Sequence, residues 1–245
     1  MKKILSYPLS IIYYLCFGLT LVIFHVIQWV CLNVWGYSAH KKSVDLMCFF
    51  LVLNTYILGT RYKVEWARPL PKYIPIIFVS NHQSFYDIPA LAWFLRKVHP
   101  KFVSKYELGT GIPGISYNLR KGGSVLIKRD EPRQALREIA KLGEYIEYKN
   151  RSAIIFPEGK RSKTGKPNPF NKSGLKILCK ESPSAYIVPI SISNAWKMTR
   201  NGKFPMTVGN TITLSIHKGI PVQTMDFDNL FEKVESTVVN GILDN

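Results

Sequence analysis

The segment Asn81-His82-Gln83-Ser84-Phe85-Tyr86-Asp87 follows directly on the apolar run Ile76-Ile77-Phe78-Val79-Ser80. A strand that ends in a histidine, with an aspartate five positions further on, can deliver a general base and the group that orients it. Imidazole changes charge near neutral pH, and a carboxylate against its second nitrogen fixes the tautomer and stabilises imidazolium. The plainer reading is a loop histidine capped by a nearby acid. Taken alone, that reading is the better one; the rest of the chain shifts the balance.

A second polar cluster, Phe156-Pro157-Glu158-Gly159-Lys160-Arg161-Ser162, also ends an apolar run. Strand ends are where α/β sheets present their ligand-binding loops. Arg161 can hold a phosphate through paired hydrogen bonds, and Glu158 can accept from a substrate hydroxyl or brace the arginine. A turn with solvated basic residues is the alternative, and it is preferred for Lys163 and Lys166. Between the two clusters lies Lys128-Arg129-Asp130, where Arg129 is either a second phosphate ligand or a surface partner of Asp130. Lys105, after Phe102-Val103-Ser104, is a third cation at a strand end. Each is weak alone. Together they describe a base with its orienter and cations suited to a phosphoryl group.

Other chemistries find little support. Ser84 lies close to His82, but no Gly-x-Ser-x-Gly elbow surrounds it, so a hydrolase is a poor reading. Cys16, Cys31, Cys48 and Cys179 have neither metal-ligand spacing nor a disulfide pattern and read as small hydrophobes. His25, His40, His99 and His217 are scattered, so no metal site is expected. Gly109, Gly111 and Gly114 fail dinucleotide and P-loop spacing.

Positioning elements surround these residues. The 245-residue chain carries 33 Lys and Arg against 16 Asp and Glu, a net charge of +17 that favours anionic partners. Lys2 and Lys3 precede an uncharged stretch from Ile4 to His40, and a second runs from Leu46 to Thr60. A bilayer-spanning helix needs roughly 20 apolar residues, so the first stretch is long enough and the second is short. Either the first helix crosses the membrane, or both form a hairpin within one leaflet, with Trp29, Trp35 and the lysines near the interface. A cleaved signal peptide fits poorly, because no small-residue cleavage pattern ends the apolar region. The flanking lysines place the remaining chain on the cytoplasmic face of the cell membrane. Nucleic acid is not an expected partner: the charge is spread, with no zinc, helix-turn-helix or RNA-binding aromatic motif to focus it.

Pro69 and Pro71 mark the passage to the globular part, giving an anchoring segment 1–66 and a unit 67–245. Strands are expected over Tyr73–Ser80, Lys101–Ser104, Ser124–Lys128, Ser152–Phe156 and Ala185–Ile192, with Thr207–Ile216 as an edge strand or hairpin arm. Helices are expected from Asp87 to Leu95, Glu131 to Tyr148, Ser173 to Lys180 and Phe227 to Ile242. Short apolar strands alternating with helices predict a layered α/β domain behind a membrane-associated helical segment.

The motifs and their order resemble the glycerolipid acyltransferase family, typified by bacterial 1-acyl-sn-glycerol-3-phosphate acyltransferases. The pattern Asn-His-x-Ser-x-x-Asp is Asn81 to Asp87 without a mismatch at its fixed places. An apolar strand leading into arginine is Val125-Leu126-Ile127-Lys128-Arg129. Phe-Pro-Glu-Gly-Thr-Arg-Ser is Phe156 to Ser162, with Lys160 in place of threonine. A Val-Pro-Ile strand is Val188-Pro189-Ile190. Order and separation match from about residue 70 to 195.

The resemblance implies a mostly parallel or mixed sheet and transfer of an acyl group from acyl-CoA or acyl-carrier protein to lysophosphatidic acid at a membrane. It implies no cofactor and no acyl-enzyme. His82 would be the base and Asp87 its partner. Arg129, Glu158 and Arg161 would bind the glycerol phosphate, with Lys105 a weaker addition. Gly159 would let the backbone approach the ligand, and Pro189 would shape the acyl-donor side unless it is only a strand-edge residue. Lys160 leaves the catalytic pair intact and bears on acceptor choice, so another lysophospholipid or an amino-lipid is the alternative acceptor, and a catalytically silent membrane lipid-binding protein is the rival from a different class.

Overall fold

The computed structural model describes residues 2–243. Two helices open the chain: α1, Lys2–Trp35, and α2, Tyr37–Asn54. Gly36 joins them at φ 77° and ψ −167°, a conformation essentially reserved to glycine. Then follow β1, Arg61–Trp66, β2, Ile76–Ser80, α3, Asp87–Phe94, and β3, Pro100–Lys105. Next come α4, Ile115–Lys121, β4, Val125–Ile127, α5, Pro132–Lys149, and β5, Ser152–Ile155. The chain ends with α6, Lys172–Glu181, β6, Tyr186–Ser193, β7, Thr211–Ile216, β8, Ile220–Pro221, and α7, Phe227–Asn240.

The strands form one mixed sheet in the order β1-β7-β6-β2-β5-β3-β4, with β8 also pairing with β6. β6 runs antiparallel to β7 and β8, and every other pair is parallel. Central β2 is buried throughout, as expected of a strand with helices on both faces. Its alternate residues serve different cores. Ile76 and Phe78 pack with Leu91, Leu95, Tyr13 and Leu58, whereas Ile77 and Val79 meet Leu142, Ile146, Leu175 and Val234 from α5, α6 and α7.

The expected strands and helices are present with shifted ends. The strand expected from Tyr73 starts at Ile76, because Tyr73 adopts φ 60° in an exposed turn. Of the two expectations for Thr207–Ile216, the edge strand is corrected and the hairpin arm holds: β7 is shorter, lies between β1 and β6, and runs antiparallel to β6. The edge is β1, whose Arg61-Tyr62-Lys63-Val64-Glu65-Trp66 alternation was not anticipated as a strand. Its charged residues suit an edge, where they discourage pairing with another chain.

α1 is fastened to the domain along one side. Ser10 Oγ accepts the Met206 N–H at 2.8 Å, Tyr13 meets Tyr86 edge-on, and His25 Nδ1 accepts the Gly114 N–H at 3.2 Å. Leu21 and Phe24 pack on Val44, Met47 and Leu51 of α2. The opposite side carries Ile11, Leu15, Leu19, Val22, Val26 and Trp29, each more than half exposed and recurring at helical spacing. By length and composition α1 can associate with a membrane.

Candidate active site

The loop after β2 is built to hold one histidine still. Asn81 is buried, and its side-chain amide donates to the Ile192 carbonyl at 2.8 Å and accepts the Ile192 N–H at 2.7 Å. That exchange ties the start of the loop to β6. The loop then curls around the buried carboxylate of Asp87, the first residue of α3. Asp87 Oδ2 accepts the backbone N–H groups of Gln83 at 2.7 Å and Ser84 at 2.8 Å. The same oxygen lies 2.8 Å from His82 Nδ1. A carboxylate oxygen only accepts, so the hydrogen in this contact lies on His82 Nδ1, and in the neutral ring Nε2 presents the lone pair.

The loop after β5 clamps the backbone of the histidine. Glu158 Oε1 accepts the His82 N–H at 2.6 Å, and the Ser162 N–H donates to the His82 carbonyl at 2.8 Å. Glu158 Oε2 accepts both the backbone and side-chain N–H of Asn168, each at 2.7 Å. The imidazole also stacks on Phe156, with centroids 4.2 Å apart and planes 21° from parallel. Gln83 adds a further brace: its amide accepts from the Ala195 N–H and donates to the Gly165 carbonyl. Gly165 has φ 86°, and a Cβ there would strike the Trp196 indole.

The sheet order disposes the remaining candidates. β2, β5, β3 and β4 are parallel neighbours, so the loops carrying His82, Glu158, Lys105 and Arg129 all emerge at one carboxyl edge. Three strand spacings separate β2 from β4, about 14 Å. Arg161 lies between Glu158 and Ser162, both bonded to His82, and its exposed guanidinium makes no ion pair or hydrogen bond among the described residues. Arg129 is likewise exposed and makes no ion pair with Asp130 among the described residues, although, behind the hydrogen bond from Lys105, its charge helps to lower Glu107. Lys105 is also exposed, with its ammonium 2.9 Å from Glu107. Gly159 has φ 65° and open space where a Cβ would stand.

Other candidates are engaged in structure instead. Pro189 is buried within β6, opposite Val79, and its carbonyl accepts the His217 N–H at 2.9 Å. The N–H that proline lacks would face the end of β7, so it removes no bond from the β2 side. Ser84 is buried, and its hydroxyl accepts from the Tyr86 N–H within the turn. Burial pushes the Cys179 thiol up to about 12, which leaves it inert. Among the described residues, no group of three or more His, Cys, Asp or Glu could hold a metal.

Residues 61–193, which include both loops and every sheet strand up to β6, match the acyltransferase family model. The chain belongs to the acyltransferase family. Its relatives agree with that assignment. The chloroplastic 1-acyl-sn-glycerol-3-phosphate acyltransferase BAT2 of Brassica napus is 34% identical over 168 residues, covering 69% of this chain and 46% of its own. The human 1-acyl-sn-glycerol-3-phosphate acyltransferase beta is 28% identical over 180 residues, covering 74% and 63%. The chain thus spans about half the length of the plant relatives it matches. A crystal structure of the 1-acyl-sn-glycerophosphate acyltransferase PlsC from Thermotoga maritima superposes with a TM-score of 0.81 at 25% identity. That likeness covers 98% of this chain and 96% of the other, so it takes in the N-terminal helices as well.

Within this acyltransferase, Asn168 and Gln83 are the positioning residues that sequence reasoning missed. Asn168 lies in Pro167-Asn168-Pro169, which reads as a solvated loop. Its carboxylate partner is ten residues back in sequence, and nothing local announces the contact.

Proposed function

We propose that this acyltransferase moves a fatty acyl group from acyl-CoA or acyl-carrier protein to the sn-2 hydroxyl of lysophosphatidic acid, giving phosphatidic acid. The observation that carries the proposal is the 2.8 Å contact between His82 Nδ1 and Asp87 Oδ2, which leaves Nε2 available on an edge with two exposed arginines. In this reading the acceptor hydroxyl gives its proton to His82 Nε2 while its oxygen attacks the thioester carbonyl carbon. The C–S bond then breaks, and the imidazolium returns the proton to the departing thiolate. Asp87 stabilises imidazolium in between. A thioester is already activated, so alignment and proton removal suffice, and no acyl-enzyme or cofactor is needed.

Arg161 and Arg129 are assigned to the acceptor phosphate, with Lys105 adding positive potential. Gly159 gives the acceptor room beside the backbone. Glu158 is assigned to holding His82, because both its oxygens are already engaged. Pro189 is assigned to the acyl-donor side through the packing of β6 beside β2.

The exposed stripe of α1, with Leu46, Phe50 and Leu53 of α2, supports a hairpin lying within one leaflet of the cell membrane. A helix fastened to the domain from Ser10 to His25 cannot stand across a bilayer without drawing polar surface into it. Membrane phospholipids are then its solvent, and the basic domain faces the cytoplasm. The segment 1–66 proposed as the anchor carries this hairpin, and its last residues, Arg61–Trp66, are β1 and pair with β7 in the sheet.

A second reading, acylation of a different lysolipid, is favoured by Lys160, an extra exposed cation beside Arg161. The deciding experiment supplies purified protein with lysophosphatidic acid and either donor and detects phosphatidic acid by mass, beside His82→Ala. Product from the wild type alone supports the reaction and names the donor. Equal turnover by the folded mutant would overturn the mechanism, and product only with another lysolipid would favour the second reading.

A further inference from the structure

A second polar centre lies at the opposite edge of the sheet, between α2 and the amino end of β3. A cavity of about 20 Å³ there is lined by His40, Lys41, Asp45, Lys101, Asn118 and Ser124. His40 has no exposed surface, and neither of its ring nitrogens has a hydrogen-bond partner among the described residues. Buried polar groups are rarely left without a partner, so a histidine with both nitrogens free points to a ligand.

The surrounding charge indicates what kind. Lys41 is matched by Asp45, whose two oxygens lie 2.6 and 2.5 Å from its ammonium. Lys101, only 4% exposed, makes no ion pair among the described residues; the Tyr37 hydroxyl is its hydrogen-bond partner, and Asp45, already held by Lys41, is the carboxylate nearest in charge to it. Its Nζ lies over the Tyr37 ring at 5.3 Å, and Arg151, also without a carboxylate, sits over the same ring at 4.7 Å. Buried cations without counterions are costly, and an anion relieves that cost where a neutral water does not. Burial and the neighbouring cations accordingly hold Lys101 below its ordinary range.

Size narrows the choice. One water-sized particle needs about 10–15 Å³ by this measure, so the cavity takes one such particle and excludes tetrahedral phosphate or sulfate. We infer that this cavity is a halide-sized anion site, with chloride held by the Lys101 ammonium and a His40 N–H, pinning α2 of the membrane hairpin to β3. The site is separate from the catalytic edge and does not depend on the proposed reaction.

The test uses the full chain in detergent, with sodium chloride replacing sodium gluconate at constant ionic strength. The wild type should show a saturable rise in Tm of a few degrees. Lys101→Met, which keeps the stem and removes the charge, should lose the saturable part and retain only the general salt response. Crystals soaked in bromide should give an anomalous peak between His40 and Lys101. Equal Tm in the two salts, or a bromide-soaked crystal with no peak in the cavity, would overturn the inference. Should Lys101→Met fail to fold, the bromide position in the wild type decides.

Discussion

Glu158 Oε1 lies 2.6 Å from the backbone nitrogen of His82, 76 residues earlier in the chain. This contact converts an acidic residue beside an arginine into a strut for the base. Both its oxygens accept from the protein, and the residue is almost fully buried.

Replacing Glu158 with glutamine should therefore impair the chemical step more than acceptor binding. The new amide turns a donor towards either the His82 N–H or Asn168, and the loop must shift. Losing such a charged hydrogen bond costs about 1.5–3 kcal/mol, or roughly 10–100-fold in kcat. Asn168→Ala should follow the same pattern. Steady-state kinetics with varied lysophosphatidic acid separates the two roles, since a direct acceptor ligand would raise KM instead.

Arg161→Ala should behave in the opposite way. Its guanidinium is exposed and unpaired, so removal costs the fold little. KM for lysophosphatidic acid should rise about tenfold or more, the scale of one charge-assisted hydrogen bond. Acylation of an acceptor without phosphate, such as a monoacylglycerol, should be unchanged. Comparing the two acceptors in one assay shows whether the loss is specific to phosphate.

Charge placed on the exposed stripe of α1 should weaken membrane association. The double change Leu15→Glu and Leu19→Glu puts two carboxylates where the helix faces outward. Partition into vesicles should fall more than tenfold, since each tenfold requires only about 1.4 kcal/mol. Flotation with liposomes measures it. The unfolding midpoint in detergent should stay within about 2 °C, because surface changes usually alter stability by less than 0.5 kcal/mol.

Stability should also fall on mild acidification. Burial, then the charge of Lys101, lowers His40 to about 4. Burial, with Lys41, Arg151 and Lys101, lowers His99 to about 4. Between the unfolded value of 6.5 and about 4 the unfolded chain binds more protons than the folded one, so stability declines as pH falls through that window. Asp45, raised by burial, opposes this only at the acid end. Melting in gluconate buffers from pH 7.5 to 4.5 should show the decline, and His40→Gln should make it shallower while leaving the part carried by His99.

Much of the molecule was legible in the chain. The His82–Asp87 spacing is a local property, because a short loop leading into α3 closes that distance with little help from elsewhere. The burial of β2 followed from five apolar residues in a row, and α5 from its apolar periodicity. The outward stripe of α1 was implicit in an uncharged stretch too long for a small domain to bury.

What the sequence could not decide depends on which strands become neighbours. β1 took the edge and β7 an interior place because parallel pairing of Arg61–Trp66 with Thr211–Ile216 joins segments from opposite ends of the chain. Glu158 became a strut because β5 lies directly beside β2, bringing its loop onto the His82 backbone. The cationic cavity arose because α2 packs over the amino end of β3 and brings His40 to Lys101. Local patterns record propensity and periodicity, whereas these contacts follow from sheet order, which forms only when distant apolar faces are buried together.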